Sequence, residues 1–394
     1  MISFEEALKR TLELAEQLDS ETISLPDANG RVLARGVTAL RDQPPFKSSA
    51  MDGYAVRSRE VQQGSRFRVV GTSAAGARFL GQVGVGEAVR VFTGAPVPDC
   101  TDRVVIQEDV TRTDDVITIN ADVSSGFFVR PAGSDYAAGN TVSAPRRLCP
   151  SSVALLASMN MRQVEVTRRP RVAILATGDE LVALGEETQE DQIVSSNNYG
   201  IKAIVESEGG CPQLLPIAAD SISSIRFNLD LARGADVIVT LGGASVGDHD
   251  LVRGVAVEAG LELAFHKVAL RPGKPLMVGK IGGKLFVGIP GNPVSSIVCG
   301  HVFLRPVMRA MLGLGRSPLP LEPAILGADV SANGPRRHLM CAKAVIQDGR
   351  QTIRAFERQD SSLLSVLAQS NALLVRPPRD RPRIAGDSVE WIRM

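Results

Sequence analysis

The chain has 394 residues, 44% of them hydrophobic and 22% charged, with 44 Lys and Arg against 43 Asp and Glu. That length allows two to four domains around buried cores, and a net charge of +1 argues against a general nucleic-acid binder, whose domains are strongly basic. There is no apolar run of the roughly 18 residues that a membrane span needs, the start MISFEEALKR lacks the apolar stretch of a secretory signal, and five scattered cysteines without C-x-x-C spacing fit reduced thiols in a cytoplasmic protein.

Apolar residues at Phe4, Ala7, Leu8, Leu12, Ala15 and Leu18 mark one face of a helix over 3–18, with Ser3 as N-cap and Glu6 completing a capping box. From about 25 to 168 short β-like runs such as Val104-Val105-Ile106 and Val116-Ile117-Thr118-Ile119 are broken by Gly and Pro, which predicts an antiparallel β region. A small helix follows over 150–161. Residues 170–310 then alternate strands (171–175, 212–217, 236–241) with helices (197–208, 222–233, 249–259). A β pair at 276–280 and 284–289 comes next, and a helix starts after Gly291-Asn292-Pro293. Such alternation predicts a parallel sheet covered on both faces, with ligands at the carboxyl ends of the strands. Residues 313–320 read as a linker and 323–394 as a small separate β domain.

Several glycine-bearing turns carry candidate chemistry. Ser48-Ser49-Ala50-Met51-Asp52-Gly53 is a tight turn that either exposes the Asp52 carboxylate or uses it in a local Asx turn. Thr93-Gly94-Ala95-Pro96 is a rigid loop that can present a hydroxyl, and Arg130-Pro131-Ala132-Gly133-Ser134-Asp135 puts a cation and a carboxylate on one loop. Thr177-Gly178-Asp179-Glu180 places two acids directly after a buried strand, where hard cations find carboxylate oxygen. In Leu241-Gly242-Gly243-Ala244-Ser245-Val246-Gly247-Asp248-His249-Asp250, glycines let a ligand approach the backbone, and a helix beginning near Asp248 offers free N–H groups to an anion. Three cations, Lys267, Arg271 and Lys274, share one loop braced by two prolines, which suits an oxyanion. Pro290-Gly291-Asn292-Pro293-Val294-Ser295 reads as a second anion cradle. The four histidines form no ligand cluster and no G-x-S-x-G elbow occurs, so zinc hydrolysis and covalent catalysis fit poorly.

Taken in order, S-A-M-D-G-Y-A-V, T-G-A-P-V-P, T-G-D-E-L, G-G-A-S-V-G-D-H-D, R-P-G-K-P and P-G-N-P-V-S resemble the MoeA-type molybdopterin molybdenumtransferase family, related to the E domains of gephyrin and its plant counterpart. The motifs span residues 44 to 296. The resemblance implies a multidomain α/β plus β fold: a three-layer α/β core with a parallel sheet, flanking β-rich domains and a small C-terminal β domain. The boundaries expected are 1–20 with 169–315 for the molybdopterin-binding domain, 21–42 with 140–168 for an elongated linking domain, 43–139 for a β-rich domain and 316–394 for the C-terminal one. It implies a homodimer that converts adenylyl-molybdopterin and molybdate to molybdenum cofactor and AMP with Mg²⁺ assisting. Transient contacts with the molybdopterin adenylyltransferase and with acceptor molybdoenzymes are implied too, with no nucleic-acid or membrane partner.

Carried onto this sequence, the resemblance makes Asp52, Glu180, Asp220 and Asp250 catalytic, the last two also ligands of Mg²⁺. It assigns Thr93, Arg130, Asp135, Gly242, Gly243, Ser245, Pro290, Asn292 and Pro293 to the pterin substrate, and Lys267, Arg271, Lys274 and Ser295 to molybdate. Three positions depart from the family pattern: Ser48 replaces an Asn, Ser134 a Glu, and Arg271 a Lys in many members. Two other readings of the fold are a non-catalytic scaffold and a CinA-type nucleotide pyrophosphatase. The set of carboxylates argues against the first, and the motifs of residues 44–98 together with the C-terminal domain argue against the second.

Overall fold

A computed structural model describes residues 1–242 and 251–394. Its central sheet has the order Cys211–Leu214, Arg171–Ala176, Val237–Leu241, Lys284–Ile289, Met277–Ile281, Leu261–His266. The first four strands are parallel. Met277–Ile281 runs against both its neighbours, so Leu261–His266 again points the same way as the first four. Ala176, Leu241, Ile289 and His266 therefore end at one edge, and the T-G-D-E, G-G, P-G-N-P and basic segments all leave from it.

The sheet is buried on both sides, and the two-residue period of a strand divides its side chains between two cores. Val172, Ile174, Val237 and Val239 join a cluster with Phe4, Leu8, Ile201, Val298 and Phe303. Ala173, Leu175 and Ile238 join another with Ile225, Leu229, Val252 and Val255. Each fully buried Leu, Ile or Phe contributes roughly 1.5–3 kcal/mol, which explains why these strands carry almost no polar residue.

Several helices are shorter than their sequence pattern. Phe4–Leu14 is capped by Ser3, whose Oγ accepts from the Glu6 N–H at 3.1 Å. The capping box is only half made, because the Glu6 carboxylate reaches Arg10 instead (2.7 Å). The helix stops four residues early: the Leu18 N–H donates to the Met311 carbonyl (2.9 Å) as the chain turns into the strand Ser20–Ser24. Pro150–Ser158 ends where Asn160 takes a left-handed conformation (φ 63°), a common helix stop. Ile222–Leu231 gives way to a 3₁₀ turn, and Pro293–Cys299 continues through a π-helical turn into Arg305–Met311.

Two β units lie in the amino-terminal part. Ser20–Ser24, Gln163–Thr167, Val32–Leu33 and Arg146–Arg147 form one sheet, and Arg103–Ile106, Gly53–Val56, Glu87–Val91, Arg66–Ser73, Val116–Ile119 and Val110–Thr113 form another. The expected antiparallel pairing holds with one exception: Arg66–Ser73 and Glu87–Val91 are parallel. At the carboxyl end, Arg337–Gln347, Arg350–Ala355, Glu322–Leu326, Ser388–Arg393 and Ala372–Arg376 close into a five-stranded barrel around Trp391. The short strand Leu270–Arg271 of the α/β unit joins the barrel alongside Arg337 and His338, and barrel residues Leu339, Leu373 and Ile392 enter the α/β core. Among the described residues no helix is long and apolar enough to cross a membrane.

Candidate functional site

The amino-terminal motifs build one cluster. The strand Ser48–Ser49 pairs with Val129–Arg130 on one side. On the other side the Ser49 N–H donates to Ala95 O (2.9 Å) and the Gly94 N–H to Ser49 O (2.8 Å). Asp52 is thereby set against Thr93, and one carboxylate oxygen accepts from the Thr93 N–H at 2.7 Å and from its hydroxyl at 2.8 Å. The partner stands 41 residues away, so Asp52 makes a tertiary contact in place of the local Asx turn. These two bonds, the backbone one foremost, hold its carboxyl below the usual range, with a smaller contribution from Arg90. Gly53 is required by the close approach of the next strand: a Cβ there would lie 2.1 Å from Val105 O. Arg130 and Asp135 are both exposed, and no ion pair joins them among the described residues.

A second cluster surrounds a cavity of about 860 Å³ at the carboxyl edge of the α/β sheet, lined by Glu180, Asp220, Gly242, Pro290, Asn292 and Pro293 among others. Gly242 has φ +97°, and a Cβ on it would lie 2.6 Å from Thr177 O, so only glycine lets the two strand ends meet. Asp179 Oδ1 accepts from the Asp220 N–H at 2.9 Å. Partial burial, then the charges of Asp179 and Glu180, push the Asp220 carboxyl above its usual range. The helix Asn197–Ser207 begins at the cavity wall with Ser195, Ser196 and Asn197, giving free N–H groups for an anion. The Asn197 Nδ2 donates to Gly291 O (2.6 Å), and its Oδ1 is buried with no partner among the described residues.

The basic loop is stiff. Lys267 N–H donates to Leu276 O (3.0 Å), Val268 N–H to Lys274 O (2.9 Å) and Ala269 N–H to Ile2 O (2.8 Å). Arg271 and Lys274 are exposed, Lys267 is half-buried, and the loop meets the cavity through Pro275. Ser295 stands apart from the expected anion cradle: it is 4% exposed within Pro293–Cys299 and is not on the cavity wall. Gly243, Ser245 and Asp250 lie outside the described residues. No residue of 43–139 lines the cavity among the described residues, so Asp52, Thr93 and Arg130 form a group of their own.

Sequence reasoning missed two parts of the wall. Ser195-Ser196-Asn197 before an apolar helix is a helix-start signature that could have been read. Ser362 had no such signal. It reaches the cavity because Asn292 Nδ2 bonds Ser361 Oγ (3.2 Å) and Val294 N–H donates to Ser361 O (2.9 Å), which pins a barrel loop over the P-G-N-P turn.

Comparison with known proteins agrees with this arrangement. Residues 2–160 match the family described as "MoeA N-terminal region (domain I and II)", 173–310 match "Probable molybdopterin binding domain", and 323–394 match "MoeA C-terminal region (domain IV)". A molybdopterin molybdenumtransferase of Nostoc sp. is 36% identical, covering 93% of this chain and 86% of the relative. The Haemophilus influenzae protein of the same name is 32% identical, covering 99% and 98%. The crystal structure of the molybdopterin biosynthesis moeA protein from Pyrococcus horikoshii OT3 superposes with a TM-score of 0.85 at 28% identity, covering 100% of both chains. With every structural unit matched in order and nearly the whole length aligned, the chain belongs to the molybdopterin molybdenumtransferase family, enzymes of molybdenum cofactor biosynthesis.

Proposed function

We propose that this chain inserts molybdenum into molybdopterin, converting adenylyl-molybdopterin and molybdate to molybdenum cofactor and AMP. The observation that carries the reading is the cavity at the sheet edge, which combines a helix amino terminus, the carboxylates Glu180 and Asp220, and a stiff cationic loop at its border. Helix N–H groups and the cations Lys267, Arg271 and Lys274 bind the phosphates and the tetrahedral molybdate. Cleavage of the pyrophosphate bond then needs charge stabilisation and no amino-acid nucleophile.

Oxygen donors of this kind suit Mg²⁺. Such an ion commonly uses one or two carboxylates and completes its shell with water and substrate phosphate. Asp220 and Glu180 are the described candidates to hold it. When bound, Mg²⁺ supplies Lewis-acid stabilisation of charge on the pyrophosphate.

A two-fold homodimer is part of the proposal: the Asp52, Thr93 and Arg130 group of one protomer faces the cavity of its partner, so that the two clusters share one cleft. The test is molybdate-triggered AMP release by Asp52→Ala beside the parent, with thermal melting as the folding control. Loss of a group that stabilises the transition state lowers the rate by roughly two to three orders of magnitude. Near-parent AMP release would remove Asp52 from the chemistry.

A further inference from the structure

The helix Asn197–Ser207 carries the cavity wall at one end and a joint between structural units at the other. Its eleven residues, at about 1.5 Å each, separate the two ends by roughly 16 Å. Ser195, Ser196 and Asn197 at its start line the cavity. Its flank is held closely: a Cβ on Gly200 would lie 2.4 Å from Ile297 Cδ1, and one on Gly300 would lie 2.7 Å from Ile201 Cδ1. Glycine thus lets it pack tightly on the helix that starts at the P-G-N-P turn.

Directly after the helix stands Glu208, 6% exposed, with both carboxylate oxygens engaged. Oε1 accepts from Arg305 Nε (2.8 Å) and Oε2 from Arg147 Nη2 (3.4 Å), which also donates to the Glu208 carbonyl (3.0 Å). Arg147 Nη1 donates to Gly30 O (3.2 Å), and Arg305 Nη1 to Arg393 O of the barrel (3.1 Å). One buried carboxylate therefore fastens the strand Arg146–Arg147 to the α/β unit. The chain crosses between that strand's sheet and the α/β unit near Asp19 and near Arg168. These crossings run side by side, with the Arg168 N–H on Asp19 O (2.9 Å), and are pinned by the bidentate pair of Arg168 with Asp236 (2.8 Å) and by the Thr167 hydroxyl on Leu312 O (3.1 Å). Two adjacent crossings leave a rotation open that a further tie must close. Arg147 supplies such a tie, from the strand through which the chain returns from the Asp52, Thr93 and Arg130 group.

We infer that Glu208 and Arg147 are positioning residues: their clamp sets the angle at which Asp52, Thr93 and Arg130 are presented, and refers it to the same helix that forms the cavity wall. Neither residue lines the cavity, so each acts through the Asp52 group. The inference rests on the shared-cleft reading for its effect on the reaction; the clamp itself stands apart from that reading.

The test reads distance and rate separately in the full chain. Cys100, between two strands of the sheet that holds Gly53–Val56, and Cys211, in the α/β sheet, are exposed, whereas Cys299 and Cys341 are buried. In a Cys149→Ser background, spin labels on Cys100 and Cys211, diluted with excess unlabelled chain, give one distance within a subunit by pulsed electron resonance. Glu208→Gln and Arg147→Met should broaden or move that distance. A misplacement of about 1 Å remote from the chemistry can lower a rate about a hundredfold. Molybdate-triggered AMP release at saturating molybdate should therefore fall roughly ten- to hundredfold, while the molybdate concentration for half-maximal release stays at the parent's value because the basic loop is untouched. A parent-like distance in both variants overturns the clamp. A changed distance with parental AMP release overturns the positioning role. A parent that releases no AMP rejects the molybdenumtransferase chemistry, and the distances then decide the clamp alone. Should Glu208→Gln, which leaves two guanidinium groups without their carboxylate, fail to fold, Arg147→Met decides, since that side chain is 32% exposed.

Discussion

Replacing His338 by Gln removes an imidazole that the folded chain keeps neutral. Burial and the guanidinium groups of Arg271, Arg376 and Arg336 bring its pKa from an ordinary 6.5 to about 4. The unfolded chain thus takes up the proton at a higher pH than the folded one. The stability this group contributes is fully present above pH 6.5 and is lost as pH falls through about 4. A separation of about 2.5 pH units at 1.36 kcal/mol each corresponds to about 3 kcal/mol across that window. His301 carries a similar depression to about 4, from burial and Arg305, so the parent alone does not isolate the effect. Trp391 does: it is the one tryptophan of the chain, 1% exposed in the barrel that holds His338. Urea unfolding followed by its fluorescence, for parent and His338→Gln from about pH 7 to about pH 4, gives the difference directly. The parent's stability relative to the variant should fall by on the order of 3 kcal/mol over this range. A difference that stays constant with pH would refute the account of a neutral histidine held among arginines.

Three further outcomes are expected. Lys274→Ala should raise the molybdate concentration needed for half-maximal AMP release without changing the melting temperature, since the exposed side chain supports no packing; unchanged activity at limiting molybdate would make the loop a solvated charge run. Asp220→Asn should abolish AMP release yet raise the melting temperature near neutral pH, because an acid whose folded pKa is raised contributes stability at low pH that is lost as it ionises beside Asp179 and Glu180; the gain should vanish below the ordinary carboxylate range, and a variant that melts like the parent at every pH would contradict the crowding of the three acids. Mixing inactive Asp52→Ala with inactive Lys274→Asp protomers should restore activity, because a cleft shared across a two-fold axis leaves one intact site in each mixed dimer; no recovery would place both clusters within one subunit.

The sequence by itself determined the fold class, the family, and the strand ends from which the T-G-D-E and P-G-N-P turns leave. Buried strands such as Val237–Leu241 are short, apolar but for Thr240, and followed by glycine, so their identity and the edge that carries the cavity are legible from local pattern alone. Helix ends were less legible. Leu18 continues the apolar period of the first helix, yet its N–H is taken by Met311, a partner almost three hundred residues away.

Tertiary structure decided which turns meet. Turn chemistry left Asp52 between an exposed acid and a local Asx turn, and the choice fell to Thr93, which reaches it only because both flank the strand Ser48–Ser49. Ser295 reads as part of an anion cradle, but its position one turn into a packed helix buries it, while Asn292 and Pro293 take the cavity wall. Ser362 and His338 carried no sequence signal at all. They belong to a barrel whose strands pair with residues far away in the chain, and pairings between distant segments leave no local periodicity to read. Side-chain period records which face of an element is buried; what that face meets across the molecule is set only when the sheets close and the domains dock.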